Sequence, residues 1–205
     1  QCLEPLYQYE RGSTQPVPAL ATGCTPNTDG TEWTCALREG VKFHSGREFV
    51  ADDVKNSLEF GQTSDRAQMR SLFRTVKEIE VTGKYSVVLK SGTVNPGIFD
   101  LLDALYIIDK ATFEDRAKTA NGTGPFKLDK YTPKDRAEFV AFKDYWDKGK
   151  PYLDRYVLRD IPDLSTLAIN LESGEVDCVW WPSFLDVVHR IGLEPFREAV
   201  YAHAD

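Results

Sequence analysis

Chemistry could reside in a few places in this sequence. Three histidines, His44, His189 and His203, could act as bases or ligands, and four cysteines, Cys2, Cys24, Cys35 and Cys178, could ligate or cross-link. No G-x-S-x-G, H-E-x-x-H or G-K-[ST] motif accompanies the histidines. The cysteines form no C-x-x-C and have no zinc spacing with histidine. Glu172, Glu175 and Asp177 surround a helix-to-strand turn, and a solvated loop explains them better than the paired acids that glycoside hydrolysis needs in a cleft. His44, between Phe43 and Ser45 in a turn, reads as structural. "NGTGPF" lacks the lysine and glycine spacing of a phosphate loop; its glycines suit a hinge or close backbone packing. No catalytic residue, metal or cofactor is therefore assigned. "VWWPS" offers a contact site instead. Trp180 and Trp181 are adjacent on an expected strand, so they point to opposite faces. One can enter the core and the other can meet a ligand; burial of both is the alternative.

These residues need elements to position them. Asp29-Gly30 signals a hairpin turn, and Glu32 to Leu37 alternates polar with apolar as a half-buried strand does. Folding about that turn sets Pro26 opposite Trp33 and Cys24 opposite Cys35. Opposed cysteines lie near bonding distance. Two readings stay open: a disulfide, or two buried free thiols. "ADDVKNSLEFG" is expected to be a helix stopped at Gly61, with Asp52 and Asp53 favoured in its first turn by the dipole. "SDRAQMRSLFRTV" is helix or turn, "VKEIEVTGKYSVVLKSG" two strands, "NPGIFDLLDAL" a helix, and "YIID" a short strand. From Phe126 the pattern reads β-β-β-α-β-α. The expected division is 1–120, a linker at 121–125, and 126–205.

Composition bounds the function. The chain has 205 residues, 41% of them hydrophobic, enough for a real core. The net charge of −7 without Lys/Arg clusters argues against a nucleic-acid partner. No stretch approaches the roughly 18 apolar residues of a membrane span. Gln1 begins the chain and Met69 is its single methionine, so the sequence reads as a mature form or an excised fragment.

An ordered set of motifs then emerges: "EPLYQY", "PALA", "DGTEWTCALREGVKFHSGREFVADDV", "GTGPFKL", "FKDYWDKGKPYLDRYVLRDIPD" and "LESGEVD". The chain resembles the periplasmic solute-binding proteins of ABC importers, in the oligopeptide-, dipeptide- and nickel-binding class. The resemblance implies a mixed α/β fold of the type II periplasmic-binding-protein kind. Residues 1–120 would be an extra small α+β domain and 126–205 part of the first main lobe, with the second lobe absent. It implies that the stretch from Cys24 to Val54 packs the small domain and does no chemistry. Cys24 and Cys35 stand where the family usually has Trp and Phe, which favours a covalent pair in place of an aromatic one. Val50 stands where a threonine cap is common, which implies a frayed helix start.

By the same resemblance, Met69, Ser71, Phe73, Tyr106, Trp180 and Trp181 fall where members contact ligand. The implied function is non-enzymatic capture of a small solute, a peptide before a nickel chelate, sugar or opine, for delivery to a membrane permease. The implied location is periplasmic or cell-surface, and the implied state is monomeric. The alternatives are a sensor built on the same lobe, or an enzyme using Glu172, Glu175 and Asp177 or His44.

Overall fold

The computed structural model describes residues 2–10, 12–64, 69–115 and 119–179. The elements follow in chain order as β1 (Tyr7–Tyr9), β2 (Pro16–Pro18), β3 (Ala21–Pro26), β4 (Glu32–Leu37), α1 (Ala51–Thr63) and α2 (Arg70–Phe73). After them come β5 (Glu78–Gly83), β6 (Ser86–Lys90), α3 (Ile98–Ala104) and a 3-10 segment, Lys110–Asp115. Last are β7 (Phe126–Thr132), β8 (Arg136–Ala141), β9 (Arg155–Arg159) and α4 (Leu164–Glu172). Two compact units result, residues 1–130 with 138–156 and residues 131–137 with 157–205. The fold is mixed α/β.

The first unit is built on an antiparallel sheet of order β3-β4-β6-β5, with β1 and β2 as a separate ribbon. The β3–β4 register pairs Cys24 with Cys35 and Pro26 with Trp33, the register expected from the turn. Gly30 supplies the positive φ of 67° there, and the Asn27 side chain accepts from Thr31 N–H and Glu32 N–H at 2.9 and 3.2 Å. Cys24 and Cys35 are joined in a disulfide, with Cys35 fully buried. Period-2 burial puts Cys35 and Leu37 of β4, and Val87 and Leu89 of β6, into one core with Phe49, Val54 and Leu58.

Helix α1 differs from expectation at both ends. Val50 cannot cap with its side chain, but the start is not frayed. The Asp53 carboxylate accepts from Val50 N–H at 3.0 Å, Asp53 N–H donates to Val50 O at 3.0 Å, and Ala51 N–H donates to Lys84 O at 2.9 Å. The local Asp53–Val50 pair and the one tertiary bond to Lys84 O together do the work of a cap. Gly61 does not stop the helix, which runs on to Thr63. Gly61 is there for packing: a Cβ on it would lie 2.6 Å from the Phe73 ring. The "YIID" strand is also absent. Tyr106 to Asp109 lies outside any strand, with Ile107 N–H held by Glu4 O at 3.0 Å. One bond does not make a ladder. Segment 121–125 is pinned within the first unit. Gly124 N–H donates to Cys2 O at 2.9 Å, and a Cβ on Gly122 would meet that same oxygen at 2.1 Å.

The strands β7, β8 and β9 form a three-stranded sheet in that order. In the second unit, α4 is capped by Asp163, whose carboxylate accepts from Thr166 N–H at 2.8 Å, and Gly174 turns the chain after it at φ 76°. Leu167 and Ala168 pack against Ile161, Leu164, Leu171 and Val179. Residues 176–179, expected as strand, are not in one. The expected strand end at Trp180 and Trp181 and the helix after it lie outside the described residues.

Candidate functional site

Helix α3 divides its side chains by face. Ile98, Leu101 and Leu102 are buried, and Leu105 just after the helix joins them. The opposite positions, Asp100, Asp103 and Ala104, sit at i, i+3 and i+4 and so share a surface. Strand β1 lies beside this helix. Tyr7 and Tyr9 are two apart and share a strand face. Tyr7 meets the edge of Phe99 at 5.0 Å between ring centroids, and its hydroxyl accepts from Cys24 N–H at 3.0 Å. Tyr9 donates its phenol proton to Asp100 at 2.5 Å. That hydrogen bond, with the charges of Asp100 and Asp103, holds the Tyr9 pKa above the ordinary phenol value. The phenol therefore stays protonated and neutral.

Between these elements and α2 lies a concave depression of about 570 Å³, lined by Tyr9, Met69, Leu72, Asp100, Asp103 and Tyr106, with Ala104 at its side. Met69 and Tyr106 are 49% and 53% exposed, so both present apolar surface to the depression. A second, smaller hollow of about 230 Å³ between α1 and β5 is polar. Its Lys55 and Glu59 pair with each other, its Glu78 pairs with Lys90, and Gln62 donates to Phe73 O and Val76 O. These charged groups thus stand in loose, solvent-exposed pairs, and the amide is held by backbone carbonyls.

Of the residues singled out in the sequence, Met69 and Tyr106 come together in the larger depression. Ser71 is exposed on α2 and does not line it, while Phe73 is buried in the core against Gly61. Trp180 and Trp181 lie outside the described residues. Sequence reasoning missed Tyr9, Leu72, Asp100 and Asp103. The two aspartates were findable as the polar complement of the apolar Ile98, Leu101, Leu102 and Leu105 pattern; Tyr9 was not, because it arrives from a distant strand.

The remaining polar clusters are architectural. Asp53 and Asp109 are fully buried and both pair with Arg47, whose Nε donates to Asp109 at 2.7 Å. Asp53 also accepts from Lys110 N–H at 3.1 Å, and Asp109 from Ser45, Asn121 and Ala111 N–H at 3.0, 2.7 and 2.9 Å. Burial alone would push the Asp109 pKa up, but the Arg47, Ala111 and Ser45 donors outweigh it and hold the carboxyl below its usual range. Glu4 behaves in the opposite way. Burial raises its pKa despite donors from Tyr145, Thr123 and Trp146 at 2.6, 2.8 and 3.1 Å. His44 is buried, with Nε2 at 2.8 Å from Gly124 O and its ring edge-on to Phe142, and burial lowers its pKa. Neutral and enclosed, it is a packing residue. Glu172, Glu175 and Asp177 are all exposed around the end of α4.

The comparisons with known proteins point to one class. The model of bacterial extracellular solute-binding proteins, family 5 Middle, matches residues 15–191. The glutathione-binding protein GsiB of Salmonella paratyphi A is 31% identical over 163 residues, covering 76% of this chain and 32% of that protein. Among solved structures, the A. tumefaciens R10 binding protein AgaA in complex with agropinic acid superposes with a TM-score of 0.78 at 30% identity, covering 85% of this chain and 37% of that one. The Helicobacter pylori periplasmic binding protein DppA in complex with peptide STSA gives 0.75 at 30% identity, over 85% and 40%. The architecture is thus part of a periplasmic-binding-protein lobe. The chain belongs to family 5 of the bacterial extracellular solute-binding proteins, and it spans about a third of the length of these relatives.

Proposed function

We propose that the protein is the extracytoplasmic solute-binding component of an ABC importer, capturing a small solute, a peptide first, for delivery to a membrane permease. The observation that carries this reading is the depression in which Met69 and Tyr106 lie exposed, within a chain of family 5. Its Met, Leu and Tyr walls give sequence-tolerant apolar burial, which suits a receptor for varied solutes. On this reading the solute favours a closed state of two lobes, and the permease reads that state. The Cys24–Cys35 disulfide accords with an oxidising compartment. No catalysis is part of the proposal: His44 is enclosed, and the Glu172, Glu175 and Asp177 carboxylates stand in solvent.

Native mass spectrometry of the complete gene product, purified without added solute and then denatured, tests this. Release of a small organic species supports the reading. A bare protein whose melting temperature no peptide, sugar or metal chelate shifts would overturn it.

A further inference from the structure

The depression carries a charge as well as an apolar wall. Asp100 and Asp103 line it, and no Lys, Arg or His does among the described residues. Tyr9 donates to Asp100 and supplies no positive charge. Asp103 has no hydrogen-bond or ion-pair partner among the described residues, and it sits one helical turn from Asp100. Around these acids stand Met69, Leu72 and Tyr106, three groups that cover apolar or flat surface. An anionic solute would meet two carboxylates with no cation among the described lining residues to offset them, and a neutral one would leave Asp103 partly desolvated and without a described partner. A cationic group on an apolar stem satisfies both parts of the wall: the stem packs on Met69 and Leu72, the charge reaches Asp103, and the Tyr106 face adds cation–π attraction.

Resting on the solute-binding reading above, we infer that this depression selects solutes bearing a guanidinium or ammonium group on an apolar stem, with Asp103 as the residue that sets the preference. Arginine- and lysine-containing peptides are the class that fits.

Three tripeptides test this on the complete gene product by calorimetric titration: Ala-Arg-Ala, Ala-Gln-Ala and Ala-Glu-Ala. The expected order is arginine tightest and glutamate weakest, with arginine over glutamine by about threefold to tenfold. In Asp103→Asn that ratio falls to about one, and in wild type it narrows as salt is added. A melting curve of the variant checks that it is folded. Equal affinities, a glutamate preference, or a ratio unchanged in Asp103→Asn would overturn the inference and leave solute binding standing. Binding of some other solute with all three peptides rejected would do the same. Binding of nothing at all would remove both.

Discussion

Asp53 and Asp109 are shut away with Arg47, while Asp100 and Asp103 stand at the side of an open depression. Both are pairs of aspartates in the same unit, yet their surroundings differ in kind. The buried pair accepts from a guanidinium, backbone N–H groups, a hydroxyl and an amide, so nothing is left for a ligand. The open pair receives one phenol proton between them from the described residues. Acid content alone does not mark a site; what separates the two pairs is that the protein fills the acceptors of one and leaves most of the other's open to solvent.

The largest way to break this contrast is to remove Arg47. Arg47→Met strands two fully buried carboxylates and is expected to cost about 3 kcal/mol or more in urea unfolding, near the lower end for such pairs because Arg47 is 33% exposed. A loss within error would show that the cluster is not architectural. The pH dependence sharpens the same point. The folded pKa of Asp109 lies below its unfolded value, so its contribution is present above the ordinary carboxyl range and is lost as pH falls through the lowered value. Glu4 has the opposite sign: its raised pKa makes stability decline as pH rises from the ordinary carboxyl range through the raised one. Acid titration should therefore show a smaller acid-dependent loss in Arg47→Met than in wild type, the two stabilities converging as the stranded carboxylates take up protons.

Replacing Cys24 and Cys35 together by serine opens a loop of separation 11 and should cost about 2–3 kcal/mol. An unchanged urea midpoint would contradict that. Gly61→Ala pushes a methyl into Phe73 and is expected to cost about 1–3 kcal/mol, with Phe73→Leu as a partial rescue. The smallest effect is the most telling. Asp103→Asn should change stability by less than about 0.5 kcal/mol, because no hydrogen bond or ion pair among the described residues depends on it and its charge acts only on an exposed phenol. A large loss there would make the open pair as structural as the buried one.

How far the sequence discloses all this depends on the range of the interaction. The hairpin register followed from Asp29-Gly30 and Pro26, since a tight turn fixes pairing locally. The core face of α1 followed from Phe49, Val54 and Leu58. The α1 boundaries did not, because Lys84 O secures the start and the Phe73 ring explains Gly61. At the site, the ordered motifs drew attention to Met69 and Tyr106, which do share a surface. Phe73, two residues from an exposed Ser71, turned inward to the core, a choice set by Gly61 rather than by its neighbours in sequence. The roles of Asp53 and Asp100 were opposite despite similar places on helices, since Arg47 reaches one and Tyr9 the other.

The central claim is that the depression with Met69 and Tyr106, and not the Arg47 cluster, is where a solute is held. Its most direct test is native mass spectrometry of the complete gene product carrying Met69→Ala and Tyr106→Ala, beside wild type prepared identically. The account predicts that the solute released by wild type is lost or much reduced in the double variant, at an unchanged melting temperature of the solute-free proteins. Equal solute occupancy in the two would contradict it.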